Sequence, residues 1–497
     1  MVFPAAVCYN IRVMTEKGQM PVGFLLAMAG LGGLLYGIDF GTIAAAMPYI
    51  RALGLFSDAQ LSVVVGAVLF GGIVSSLTAG VLAERFGRKR MIVASAALFL
   101  AAIPTVCLSG GSFAVMVVGR VLQGMSAGYM SVVMPMYLTE TLPPAIRGRG
   151  TGVFQFCLGL GLVLAATVGY AVAATFGESL KDLAWKVNFW WTMLPVAALF
   201  VGALRLAESP TWLANQEKRL RTGQARPSRK TAKSDGSAKM REGRACRVRG
   251  LAIDSTIRRF DHSIISRRYV LPFLLAVLVL TFNKTTGMSS ITSYSVVIFQ
   301  KAGFAGSLGN VGDFAIKLTN LLMTVVAAAL IDRKGRTFLL KLGTAGMTLG
   351  LAAIGGVFLA IERFGVAANA ATGGLCLAAF FLMQVFYALG PGICVWLVLS
   401  ELMPQRIRAN GMAIALFMNQ FVAWGLASTF LPWVNRWGWH SMFFFFAANG
   451  VLYFVTACFI PETKGKTLEE LETLFERKSE LLSLNTEVTE NRRRGER

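Results

Sequence analysis

Apolar residues run through this chain in long blocks, separated by polar segments rather than alternating with them. Blocks of about 20 residues, the length a membrane-crossing helix needs, fall near 21–47, 60–83, 91–109, 112–138, 150–173 and 187–205. A polar stretch follows, and six more blocks lie near 269–299, 313–331, 338–361, 374–400, 409–433 and 441–460. The pattern predicts an all-α membrane protein whose twelve transmembrane helices form two six-helix bundles. It divides the chain into an N-terminal segment 1–20, a first bundle 21–205, a basic linker 206–268, a second bundle 269–460 and a tail 461–497.

Composition sharpens this picture. With 55% hydrophobic and 15% charged residues and a mean hydropathy of +0.60, a water-soluble chain of 497 residues could not hide its apolar surface. The 52 glycines suit closely packed membrane helices. The net charge of +22 is not spread evenly. Of 48 Lys+Arg, 38 fall in the termini, the linker and the loops on their side, and six fall in the opposite loops. Cytoplasmic loops retain Lys and Arg, so both termini and the linker are expected in the cytoplasm of a plasma (inner) membrane protein. No signal-peptide pattern opens the chain. Linker residues such as QEKRLRTGQARPSRKTAKSDGSAK lack apolar content and are expected to be partly disordered. No aromatics interleave with these charges, which argues against nucleic acid as a partner. Seven scattered cysteines and two histidines exclude a metal cluster or disulfide framework, and no cofactor motif appears. The expected partners are a small-molecule substrate, the proton and the bilayer.

The two halves repeat each other. YLTETLPPAIRGRG contains Glu140, Pro143, Arg147 and Gly150, and LSELMPQRIRANG repeats the spacing with Glu401, Pro404, Arg408 and Gly411. AERFGRKR, with Glu84, Arg85, Gly87 and Arg88, is matched by IDRKGRTF, with Asp332, Arg333, Gly335 and Arg336. AESPTW carries Glu208 and PETKGK carries Glu462. The offsets of 261, 248 and 254 residues each cross six spans, so the halves share one orientation. Parallel six-helix repeats imply a central cavity and alternating access by rocking. The acidic and basic loop residues are expected to form charge networks: Glu84, Arg88, Glu140 and Arg147 in one half, Asp332, Arg336, Glu401 and Arg408 in the other. Such networks can gate the cytoplasmic side, or merely anchor helix ends.

Ionisable residues inside spans are costly and mark function. Asp39 is the only charge in the first block, eight to ten residues from its outer end, and Arg120 lies eight residues into the fourth, at similar depth. An Asp–Arg pair there can act as a protonation switch or as a structural ion pair. Lys284 lies mid-way along the seventh block and can neutralise Asp39 or bind an anionic substrate. Lys317, near the outer end of the eighth, is expected to reach water.

GLGGLLYGIDFG, AERFGRKR, GRVLQGMSAGYMSVVMPMYLTETLPPAIRG, AESPTWL, GPGICVWLVLSELMPQRIRANG and PETKGKTLEELE together resemble the sugar porter family of the major facilitator superfamily. The resemblance covers all twelve spans. It implies the major facilitator fold and a transporter of a monosaccharide or polyol. Asp39 stands where the family's proton-coupled members have aspartate, and Arg120 matches its companion arginine, which implies proton symport. The family's sugar-binding positions correspond to Gln155, Asn320, Trp396 and Asn419. Amides beside an aromatic face suit sugars, because the amide both donates and accepts while the ring covers C–H surface. The same amides can instead tie helices together.

The seventh span departs from the family. TFNKTTGMSSITSYS has Asn283 and Lys284 where a glutamine pair is typical, Gly287-Met288-Ser289 at the next group, and Ser293-Tyr294 for a tyrosine pair. In the eleventh span, Ala415-Leu416 replaces a polar-Trp pair. The candidate substrate set is therefore Gln155, Asn283, Lys284, Ser289, Tyr294, Asn320, Trp396 and Asn419. A sugar acid or other organic anion becomes an alternative substrate, because lysine pairs with an anion. A facilitative uniporter and a non-transporting sensor also stand open. No Ser/His/Asp arrangement or phosphate-binding loop suggests an enzyme.

Overall fold

The computed structural model describes residues 12–15, 18–143, 146–176, 180–221, 267–304, 306–403 and 408–462. The linker stretch expected to be partly disordered begins at Gln216, but residues 216–221 are helical; the linker from 222 to 266 and most of the tail lie outside the described residues. A short hairpin, β1 Arg12–Thr15 with β2 Gly18–Pro21, precedes the helices. In the first half these are α1 Val22–Ala52, α2 Asp58–Phe86, α3 Arg88–Cys107, α4 Phe113–Thr141, α5 Arg147–Phe176, α6 Lys181–Trp190 and α7 Met193–Arg205. Then α8 Pro210–Arg221 opens the linker. The second half holds α9 Arg267–Thr285, α10 Met288–Ala302, α11 Leu308–Lys334, α12 Arg336–Arg363, α13 Ala370–Leu389, α14 Pro391–Leu402, α15 Arg408–Trp437 and α16 Trp439–Phe459. Eleven spans among the described residues are long and apolar enough to cross a membrane. The twelfth is α4, diluted by Arg120, Gln123, Ser126 and its glycines.

Three predicted spans are broken rather than continuous. The sixth begins at Lys181, not 187, and kinks between α6 and α7, where Pro195 has no N–H for the carbonyl four residues back. The seventh breaks at Gly287, which is left-handed at φ 78° and ψ 7°. The tenth breaks at Gly390, and Pro391 then opens α14. In each case a residue invisible to a hydropathy average ends the helix.

Helix packing rests on small residues. On α1, Gly33, Gly37 and Gly41 recur every fourth residue and form one face against α5. A Cβ on Gly33 or Gly37 would overlap the carbonyl oxygens of Phe154 or Leu158. Backbone-to-backbone approach of this kind replaces the hydrophobic drive that lipid cannot supply. Gly71 and Gly124 do the same between α2 and α4.

The halves meet along α2–α15 and α5–α11. The α2–α15 seam includes Ser62 Oγ accepting from Leu431 N at 3.1 Å and Asn435 Nδ2 donating to Asp58 Oδ2 at 2.8 Å. Along α5–α11, Gly159 faces Leu321 and Gly169 lies near Asn310. These contacts run from the midplane toward the side opposite the linker, so the halves are closed there.

The sequence repeat is matched in atomic detail. Gly87 (φ 98°, ψ 158°) and Gly335 (φ 91°, ψ 160°) adopt one backbone conformation just before α3 and α12. Positive φ with that ψ is open to glycine and strained for other residues. The turn leaves the first N–H groups of the following helix free, and a distant carboxylate takes them. Glu208 Oε1 accepts from Arg88 N at 2.8 Å and Lys89 N at 3.0 Å. Glu462 accepts from Arg336 N at 3.0 Å and Thr337 N at 3.1 Å. A negative charge at a helix N-terminus is favoured by the free N–H groups and the dipole. Glu362 repeats the device at Gly438, capping α16 through Trp439 N at 2.9 Å.

Candidate functional site

Asp39 and Arg120 are each 1% exposed, and they face one another across the contact of α1 with α4 at 3.6 Å. The helix α1 continues thirteen residues past Asp39 to Ala52, so the carboxylate sits deeper than the apolar block suggested. The separation exceeds a hydrogen bond, and neither Asp39 oxygen has a hydrogen-bond partner among the described residues. Arg120 is shared. Its Nη1 donates to Gln123 Oε1 at 2.8 Å, one turn along α4, and its guanidinium lies 5.6 Å from the Phe189 ring centroid on α6. The arginine is thus oriented by Gln123 and Phe189, and Asp39 is held by Coulomb attraction alone.

Lys284 does not neutralise Asp39. Its Nζ donates to Ser289 Oγ at 3.1 Å, across the break between α9 and α10, and it forms no ion pair among the described residues. Nor does Lys317 reach water, because it is 4% exposed and pairs with Asp313 at 2.7 Å. Asp313 Oδ1 also accepts from Ser295 Oγ on α10. The same lysine reaches the Gly41 carbonyl of α1 at 3.5 Å, joining the two halves two residues from Asp39. Burial here follows from the i, i+4 spacing, which puts Asp313 and Lys317 on one face of α11 turned inward.

Of the eight candidate substrate residues, Lys284 and Ser289 bond each other, and the remaining six divide into two groups. Three are spent on packing. Asn419 donates to the Leu280 carbonyl at 3.0 Å, tying α15 to α9, and Asn283 donates to the Pro391 carbonyl at 3.5 Å. Tyr294 donates to the Ala427 carbonyl at 3.2 Å and stacks on Phe430 with centroids 4.5 Å apart. The other three keep their polar groups free of hydrogen bonds to described residues. Gln155 is exposed and Asn320 half-buried, and they flank the Gly159–Leu321 contact at the seam of the halves. Trp396 on α14 is 48% exposed.

On the linker side, Arg88 Nη2 donates to Glu140 Oε1 at 2.8 Å. Glu140 also accepts from Ser209 Oγ, which in turn caps α8 by accepting from Trp212 N at 3.2 Å. Pro210 follows at the first helical position, where its missing N–H costs nothing. The Glu84 carbonyl accepts from Trp212 Nε1 at 2.8 Å, and Arg85 lies over the Phe86 ring. The chain α2–α3–α4–α8 is therefore cross-tied within one half. Arg333 is exposed, and Arg336 and Glu462 mark the corresponding place in the second half. The side chains of Arg147, Asp332, Glu401 and Arg408 lie outside the described residues.

Residues 25–475 match the family described as Sugar (and other) transporter. The chain belongs to that family. It is 28% identical, over 94% of its own length and 97% of the relative's, to the arabinose-proton symporter of Bacillus subtilis (strain 168). It is 32% identical to the putative metabolite transport protein YwtG of the same organism, covering 90% and 94% of the two chains. To the galactose-proton symporter of Escherichia coli (strain K12) it is 29% identical, covering 90% and 93%. Among solved structures, a D-xylose-proton symporter superposes with a TM-score of 0.72 at 22% identity, covering 90% of this chain and 99% of that one. At that identity the likeness establishes the twelve-helix major facilitator fold. The chain is thus a multi-pass membrane transporter and not an enzyme.

Sequence reasoning passed over several residues of this transporter's interior: Asp313, which buries Lys317, and Gln123 and Phe189, which aim Arg120. The i, i+4 and i, i+3 spacings were available as signals. Phe189 sits on another helix and gave none. The helix-capping role of Glu208 leads to a stability prediction. Glu208→Ala removes charge-assisted bonds to three backbone N–H groups, those of Arg88, Lys89 and Ser209, and should cost about 1.5–3 kcal/mol. A fall in melting temperature of the detergent-solubilised protein checks it, and Glu208→Gln should recover part of the loss.

Proposed function

We propose that this chain is a proton-coupled symporter of a monosaccharide or polyol working by alternating access. The observation that carries this reading is the buried Asp39–Arg120 pair. A carboxylate held only by attraction at 3.6 Å can take up a proton without first breaking a hydrogen-bond set. Protonation removes the attraction to Arg120, and so couples proton occupancy to the contact between α1 and α4. Relatives described as arabinose-proton and galactose-proton symporters, and a probable polyol transporter of Arabidopsis thaliana, support the class of solute.

The substrate position suggested by the free side chains lies between the halves, lined by Gln155, Asn320 and Trp396. Closure along α2–α15 and α5–α11 opposite the linker supports a state with the cavity open toward the linker. The charge asymmetry of the loops supports a cytoplasmic location for that side, at a plasma (inner) membrane. The Arg88–Glu140–Glu208 network braces one half as a rigid body, which rocking requires.

A pH electrode in a weakly buffered proteoliposome suspension tests the reading. Adding a transported sugar or polyol should alkalinise the medium as protons enter with it. Solute entry with no pH change would replace symport by facilitated diffusion, and no entry of any solute would remove transport altogether.

A further inference from the structure

Lys284 stands near the centre of the seventh span, seventeen residues after the start of α9 and eighteen before the end of α10. A cation at that depth is costly and normally has a partner. Among the described residues, the fully buried mid-span cations obey this, Arg120 facing Asp39 and Lys317 facing Asp313, while Lys284 is half-buried. Lys284 has only the neutral hydroxyl of Ser289, at 3.1 Å. Among the described residues no carboxylate pairs with it.

Its one hydrogen-bond partner among the described residues stands at the start of a helix. The chain leaves helical geometry at Gly287, and α10 begins at Met288, so the first N–H groups of α10 have no intrahelical acceptor. They carry the positive end of the helix dipole. Ser290, in that first turn, is 1% exposed, and its hydroxyl has no hydrogen-bond partner among the described residues. The hydroxyl of Thr281, one turn before Lys284 on α9, also has none. An ammonium and a helix N-terminus therefore meet at mid-span through Ser289, with no anion among the described residues. Broken membrane helices use this arrangement to hold anionic groups of their substrates.

We propose that Lys284, with Ser289, Ser290 and the first turn of α10, binds a carboxylate on the transported solute, making sugar acids the substrate class. This rests on the transport reading above and narrows it. A carboxylate returns to the half-buried ammonium charge-assisted bonding, and a neutral hydroxyl does so about half as well. Asp39 does not compete for the lysine, because its ion-pair partner is Arg120.

The test uses the purified full chain and matched pairs, glucuronate against glucose and galacturonate against galactose. Within each pair only C6 differs, as carboxylate or hydroxymethyl. Binding is read by calorimetry, and transport by the proteoliposome pH electrode. At least one hexuronate should bind about tenfold more tightly than its hexose, the worth of one charge-assisted hydrogen bond. Lys284→Gln should erase that preference, while Lys284→Arg should keep it. Hexoses binding as tightly as hexuronates overturns the proposal, as does equal weakening of both by Lys284→Gln. If Lys284→Gln is not recovered folded, wild type and Lys284→Arg decide. Proton uptake with hexoses but none with hexuronates overturns this proposal and leaves symport standing. Hexuronate binding and entry without proton movement overturns symport and leaves the carboxylate site standing.

Discussion

Replacing Asp39 by asparagine abolishes uphill accumulation and leaves counterflow exchange. With one proton carried per solute, each unit of pH gradient is worth about 1.4 kcal/mol, or tenfold accumulation. The variant should therefore fall from about a hundredfold accumulation across two pH units to none. The structural reason is the isolation of this carboxylate. Neither oxygen accepts a hydrogen bond from a described residue, so an amide of the same shape leaves no donor stranded. Arg120 stays oriented by Gln123 and Phe189. The packing of α1 on α5, which rests on Gly33, Gly37 and Gly41, is untouched. Labelled solute is loaded into proteoliposomes with an imposed pH gradient, and exchange is followed separately without one. Continued accumulation by the asparagine variant would place proton coupling on another group.

The largest expected stability effect lies at a residue the apolar pattern did not single out. Asp313→Ala leaves Lys317, 4% exposed, with only the Gly41 carbonyl at 3.5 Å among the described residues. Breaking one side of a buried pair costs about 3–5 kcal/mol, because the remaining charge is uncompensated. Removing both, in Asp313→Ala with Lys317→Met, should recover most of that loss, since an apolar replacement of a buried pair is often neutral. Melting temperatures of the two single variants and the double variant in detergent form the cycle that isolates the pair. A single Asp313 variant as stable as wild type would mean that Lys317 finds water in solution. The pair also ties α11 to α1 beside Asp39, so the Lys317 variant should loosen closure on the side opposite the linker. A cysteine placed near Ser62 should then label faster.

The gating residues illustrate what a repeat reveals and what it leaves open. Their spacing located the turns before α3 and α12, and both turns are built alike, with a left-handed-region glycine and a remote glutamate on the helix N-terminus. The sequence did not indicate that Glu208 spends its carboxylate on backbone N–H groups, or that Glu140 takes Arg88 and Ser209 together. Those choices depend on how close α7 and α4 bring their ends.

By itself, the sequence determined twelve spans, two parallel halves, the separation of basic loops and the family. Each of these follows from local properties: block length, charge per loop and short motifs at fixed offsets. Partner choice was decided only by the tertiary structure. It gave Asp313 to Lys317, left Lys284 with a hydroxyl, and turned Tyr294 and Asn419 into packing groups. The physical reason is rotational. In a membrane helix an apolar average does not fix which residues face the interior; that facing is set by where glycines let two backbones touch and where a glycine or proline breaks the helix. A rotation of a few tens of degrees about α9 or α11 would exchange one set of partners for another without altering a single hydropathy value.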